Sequence, residues 1–200
     1  AAIVEDQREK RWARRVSRNL AGSTLGILGL GAIGGELARK AAALEMRVIG
    51  TRRNVTAMEG VEKVFAPEAT DEVLREADFL VALLPATAAT ENFLNAERLS
   101  KMKPTAWVVN FGRGAIIDNA ALIAAVTNRV IAGAVLDVFR TEPLPQDNPL
   151  WTTPGIMVLP HIGAHHPERD KDVAALFADN LGRLLAGQPL REVVDPQVGY

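Results

Sequence analysis

Cysteine is missing altogether from these 200 residues, which excludes disulfides, thiolate metal sites and a cysteine nucleophile together. Aromatic residues make up only 5%, and the three histidines all fall within LPHIGAHHPE, from Leu159 to Glu168. An excess of one charge is lacking too. Lys and Arg number 23 against 24 Asp and Glu, a formal net charge of -1, so nothing electrostatic calls for a nucleic-acid partner. No apolar run approaches the roughly 20 residues that cross a bilayer. The opening AAIVEDQREKRWARR is charged throughout, where a signal peptide would be apolar. No membrane partner is expected, and the absence of cysteine fits a cytoplasmic location. No GxxxxGK[ST] stretch occurs, which removes a P-loop.

What is present is alternation. Strand-like runs at 24–31, 46–51, 62–65, 78–85, 106–112, 130–138 and 155–160 are mostly uniformly apolar, as strands covered on both faces should be. Helical patterns lie between them, in GELARKAAALE, ATDEVLREA, NAERLSKM and NAALIAAVTN. Strand alternating with helix predicts an α/β fold with a doubly wound parallel sheet. Trp12, Val16 and Leu20 recur every fourth residue, which predicts a leading amphipathic helix over 1–20. The core and a closing helix follow over 21–187, with a tail over 188–200.

The first strand runs straight into Gly29-Leu30-Gly31-Ala32-Ile33-Gly34, and a helical pattern starts at once. In a Rossmann-type turn the first glycine permits the bend, the second admits a pyrophosphate to the backbone, and the third lets helix and strand pack closely. The phosphates then sit at the helix N-terminus. An NAD-binding protein usually carries Asp or Glu at the end of its second strand, to accept from ribose hydroxyls. Here the sequence is Gly50-Thr51-Arg52-Arg53. Arginine cannot accept those bonds, but its fork matches a 2′-phosphate, so NADP is expected ahead of NAD.

Ligands of open α/β sheets bind outside the carboxyl ends of the strands. That edge receives Arg113 after AWVVN, Glu142 after VIAGAVLDV and His161 after GIMVLP. The trio suits reduction of a small 2-oxo acid. Arg113 would hold the carboxylate and polarise the carbonyl, and His161 would protonate its oxygen. Glu142, on the far ring nitrogen, would fix the tautomer. Asp137 is placed to accept from a nicotinamide carboxamide. The three histidines follow a strand and a proline in no register that surrounds one point, so no metal is expected.

At these residues the chain resembles the D-isomer-specific 2-hydroxyacid dehydrogenase family. The likeness runs from the glycine fingerprint through VNFGRGAIID, AVLDVFRTEPLP and NPLWTTPGIMVLPHIG. The Leu150-Trp151 pair and the ending VVDPQVGY look most like the glyoxylate and hydroxypyruvate reductases in it. The resemblance implies a Rossmann-type domain, with Arg113, Glu142 and His161 as its catalytic residues and Asp137 at the nicotinamide. It implies further cofactor contacts at Leu84, Pro85, Thr90, His161 and Gly163, and a homodimer. It also implies a separate substrate domain, absent here, so the chain is expected to be a fragment or proteolytic core that is weak or inactive alone. Two departures stand out. Arg52 replaces the family's usual acid, and Gly163-Ala164-His165-His166 replaces small hydroxyl residues. Two other classes fit the same residues: a redox-inactive, dinucleotide-sensing regulatory module, and a reductase of another acyl or imine substrate.

Overall fold

The computed structural model describes residues 2–14 and 16–194. Its strands are β1 (Thr24–Leu28), β2 (Arg47–Thr51), β3 (Lys63–Phe65), β4 (Phe79–Ala82), β5 (Trp107–Asn110), β6 (Gly133–Leu136) and β7 (Ile156–Val158). The helices are α1 (Ala2–Arg8), α2 (Ala32–Ala43), α3 (Thr70–Glu76), α4 (Ala96–Ser100), α5 (Asn119–Thr127) and α6 (Arg169–Leu185). The strands form one sheet in the order β3-β2-β1-β4-β5-β6-β7, every neighbouring pair parallel. The order turns outward in both directions from β1 and β4, which makes the cleft between them the switch point of a Rossmann-type sheet.

The period-2 alternation of each strand sorts its side chains between two cores. Leu25 and Ile27 of β1 and Val81 of β4 pack with Ala38 and Ala41 of α2. Leu28, Leu80 and Ala82 pack on the other side with Val73 and Leu74 of α3, Leu99 of α4 and Leu122 of α5. Coverage on both faces holds for β1, β2 and β4 but not for the far strands. Trp107, Val109 and Val135 are only half-buried, and Met157 is exposed. The uniformly apolar runs there overstate how much is covered.

The chain divides into two compact units, residues 1–160 and 161–200. Every buried residue among those described belongs to the first. In the second, α6 buries no residue, and Val173, Phe177, Leu181 and Leu184 make an exposed stripe at helical spacing. Asn180 bonds both ways with the Arg191 backbone, donating to its carbonyl and accepting from its N–H, which folds the following segment back on the helix. Of the tail, residues 195–200 lie outside the described residues.

The leading helix is shorter than the spacing predicts. It covers Ala2–Arg8, Lys10 turns into the left-handed region at φ 53°, and the Arg11 guanidinium closes back on Asp6 at 2.6 Å. Trp12 is 92% exposed and Val16 fully so. The four-residue spacing is real, but among the described residues no surface covers the apolar face it would make, and a short unpacked helix is marginal in water.

Asp78 ties the amino ends of the strands together. Its Oδ2 accepts from the Thr24 N–H at 2.9 Å and its Oδ1 pairs with Lys103 Nζ at 3.0 Å. Burial pushes its carboxyl up, but the Thr24 N–H and the Lys103 ammonium together hold it below the usual range. A depressed carboxyl contributes stability that is present above its unfolded pKa and lost as pH falls through the folded value. Asp78→Asn is therefore expected to cost about 1–2 kcal/mol at pH 7, a charge-assisted bond being worth a little more than a neutral one. The gap should narrow below about pH 4, where the unfolded carboxyl protonates. Urea denaturation at pH 7 and pH 3 checks this, and a gap independent of pH contradicts it.

Candidate dinucleotide and substrate site

The strands end level. Register pairs Leu28 with both Thr51 and Ala82, Ala82 with Asn110, Asn110 with Leu136, and Leu136 with Val158. The loops that follow β1, β2, β4, β5 and β6 therefore leave the sheet along one edge, as the sequence reading requires.

The three fingerprint glycines separate by what needs them. Gly29 sits at φ 103°, where L side chains are strained, and a Cβ there would lie 3.0 Å from the Leu83 carbonyl. A Cβ on Gly34 would lie 2.3 Å from the Gly29 oxygen, so the helix could not approach the strand. Gly31 differs: it is extended, with φ -91° and ψ -153°, and a Cβ there would meet nothing within 4 Å. The protein's own packing thus requires the first and third glycines and leaves open space at the second. No side chain caps α2 and no acid occupies its first turn, so its amino end keeps its positive character. Ala32 and Ile33 stand exposed in that turn. Glu36, one turn on, bonds to Arg39 and Lys40, which lower its carboxyl to about 2. These features fit a pyrophosphate.

At the end of β2, the carbonyl of buried Thr51 accepts from the Leu30 N–H at 2.9 Å, which joins this loop to the glycine turn. The Arg52 N–H donates to the Phe65 carbonyl at 2.9 Å. Its half-buried side chain reaches Thr56 Oγ1 at 3.3 Å, and Arg53 is exposed. After β4, Leu84 and Pro85 are half-buried. Thr90 staples their turn, its hydroxyl donating to the Pro85 carbonyl at 2.6 Å and accepting from the Thr87 N–H at 2.9 Å.

Arg113 is exposed on a turn fixed from below by Asn110. That side chain, 1% exposed with its residue, accepts from the Gly112 N–H and donates to the Arg113 carbonyl, both at 3.1 Å. The Arg113 guanidinium lies against the Gly112 carbonyl at 2.8 Å. Gly114 brings the next loop close, since a Cβ there would fall 2.0 Å from the Phe139 carbonyl carbon. Asp137 is buried. Glu142 is exposed, and its Oε1 accepts from the Phe139 N–H at 2.8 Å. The first unit thus brings Arg113, Asp137 and Glu142 onto adjoining loops.

His161 opens the second unit, three residues beyond β7, exposed and at φ 54°. A left-handed conformation costs a non-glycine residue about 1–2 kcal/mol, and such strain collects at functional positions. Gly163, His165 and His166 are exposed as well. His165 and His166 line a shallow depression with Pro167, Arg169 and Asp170. Among the described residues, no group of three His, Asp or Glu is placed to hold a metal ion.

Two residues of this edge escape a sequence reading. Asn110 acts only by folding over its own turn, and Thr56 is recognised only once Arg52 is seen beside it. The motif VNFGRG contains the first, but an Asn in a strand end has no signature of its own.

A family model described as D-isomer specific 2-hydroxyacid dehydrogenase, NAD binding domain, matches residues 1–163. The chain is 40% identical, over 98% of its length, to the glyoxylate/hydroxypyruvate reductase B of Pectobacterium atrosepticum and spans 63% of that protein. It is 42% identical to the protein of the same name from Pectobacterium carotovorum, of which it spans 55%. Among solved structures, it resembles a D-isomer specific 2-hydroxyacid dehydrogenase from Xanthobacter autotrophicus in complex with NADPH and MES. That likeness has a TM-score of 0.87 at 38% identity and covers all of this chain and 81% of the other. An NADPH-dependent glyoxylate/hydroxypyruvate reductase from Sinorhizobium meliloti, in complex with NADP and sulfate, matches with a TM-score of 0.88 at 32% identity. All of this chain and 64% of that one are covered.

Proposed function

The chain belongs to the D-isomer specific 2-hydroxyacid dehydrogenase family, and from that premise we propose that it is the dinucleotide half of an NADP-dependent reductase of small 2-oxo acids such as glyoxylate or hydroxypyruvate. The observation that carries the proposal is the open space at Gly31 between two glycines that packing enforces. In this reading Gly29, Gly31, Ala32, Ile33 and Gly34 hold the pyrophosphate, and Thr51, Arg52 and Arg53 hold the adenosine end. Leu84, Pro85, Thr90, Asp137 and Gly163 border the rest, and the bound nicotinamide supplies a hydride.

The chain's own residues do the rest. Arg113 anchors the substrate carboxylate through its planar fork and draws charge onto the carbonyl oxygen. His161 delivers a proton to that oxygen. Glu142, held by the Phe139 N–H, is in this reading the carboxylate that would fix the tautomer of the imidazole. The Asp137 carboxylate would accept from the carboxamide of a bound nicotinamide. The reading includes a cytoplasmic homodimer, for which the exposed Ile3, Val4 and Trp12 supply apolar surface.

The test follows NADPH oxidation by glyoxylate and hydroxypyruvate in the protein as its gene encodes it, with carboxylate-free carbonyl compounds as controls. Turnover limited to the carboxylates is expected, with NADPH bound about 10- to 150-fold more tightly than NADH. One charge-assisted bond to a 2′-phosphate, at roughly 1.5–3 kcal/mol, accounts for that ratio. Arg52→Asp should reverse it. NADPH binding without turnover of any 2-oxo acid would instead favour the redox-inactive sensing module.

A further inference from the structure

Arg140 lies between Asp137 and Glu142 in sequence but takes no part in the proposed reduction. Its guanidinium leaves its own loop and reaches two others. Nη1 donates to Glu91 Oε1 at 3.2 Å, and Nη2 donates to the Ala115 carbonyl at 3.1 Å and to the Asn92 side-chain oxygen. Glu91 and Asn92 follow directly on Thr90, the staple of the turn after β4, while Ala115 stands two residues beyond Arg113. The Asn92 N–H also donates to the Ala115 carbonyl at 2.8 Å, with Asn92 at φ 49°. That one carbonyl therefore receives a donor from each of the other two loops. Behind the guanidinium, the Phe139–Arg140 backbone rests on Gly114 and is held by Glu142.

We propose that Arg140 is a positioning residue that fixes the Arg113 loop against the loop carrying Leu84, Pro85 and Thr90, and thereby sets the orientation of the substrate and not the affinity for the dinucleotide. The Glu91 ion pair alone is too exposed to matter much, with 34% and 58% of the two side chains accessible. The effect comes from the fork, whose geometry matches three acceptors on two loops at once, which a lysine cannot do. Asn110 anchors the Arg113 turn from the strand side and Arg140 from the loop side. The Asn92 and Leu94 N–H groups, which donate to the Ala115 and Ile116 carbonyls, also join the two loops, but without the guanidinium no side chain locks them, and misplacement of Arg113 by about 1 Å costs on the order of 10²-fold in rate. The proposal deepens the reductase reading and rests on it for its kinetic consequence only.

Arg140→Met and Arg140→Lys provide the test. In the whole protein, Arg140→Met is expected to lower kcat/KM for the 2-oxo acid roughly 10- to 100-fold while the NADPH Kd stays within the scatter of the unmodified protein. Arg140→Lys, which keeps only the pairing with Glu91, should remain close to the Met variant. Hydrogen exchange in this 200-residue chain, with no substrate present, should show faster exchange at the Asn92 amide in Arg140→Met. If the unmodified protein reduces no 2-oxo acid, the reductase reading falls while exchange still judges the clamp. Unchanged exchange at Asn92, full rescue by lysine, or a loss of kcat/KM matched by an equal loss of NADPH affinity overturns the proposal.

Discussion

His161→Asn is expected to lower kcat for reduction of a 2-oxo acid by roughly 10²- to 10⁴-fold, the usual contribution of a positioned general acid. Asparagine preserves a polar side chain of similar reach but cannot release a proton near neutral pH. It also suits the conformation: His161 stands at φ 54°, a region Asn tolerates better than most residues, so the backbone should not relax. The NADPH Kd should therefore change little, and kcat and kcat/KM should fall together, as they do when an interaction made only in the transition state is removed. Steady-state kinetics with titrated NADPH binding separates these. A variant that keeps its kcat, or one that loses NADPH binding in proportion, would assign His161 to cofactor binding or to structure. Chelators should leave any reductase activity of the unmodified protein untouched.

The central half of the sheet was legible because its strands are buried on both faces. Runs such as TLGIL and RVIGT carry no polar alternation, and their end positions alone place Gly29 and Thr51 on one edge. β5 to β7 read the same way although one face is thinly covered, since a strand's apolar composition does not record what lies over it. The leading helix failed for a related reason: spacing at Trp12, Val16 and Leu20 registers a face but not a partner for it. Arg140 was invisible because its meaning depends on Glu91 and Ala115, 49 and 25 residues away in sequence. Contacts between loops of that separation follow from strand order, and strand order is only visible in three dimensions.

Gly31→Val separates fold from ligand. The backbone there is extended, at φ -91° and ψ -153°, and a Cβ would meet no atom within 4 Å beyond the adjoining residues. The effect of the substitution on stability should thus be small, about 1 kcal/mol, the cost of a poorer N-cap on α2. The same atoms would fill the space in which a pyrophosphate approaches the amino end of α2. Losing about two charge-assisted N–H bonds there, at roughly 1.5–3 kcal/mol each, weakens binding by roughly 10²- to 10⁴-fold. Calorimetric titration of this chain and of its Gly31→Val variant with NADPH, alongside their melting curves, tests the account most directly. Two folded proteins that differ by about 1 kcal/mol in stability are expected, of which only the unmodified one binds NADPH tightly. Equal affinities, or an unmodified chain that takes up no NADPH, would contradict it.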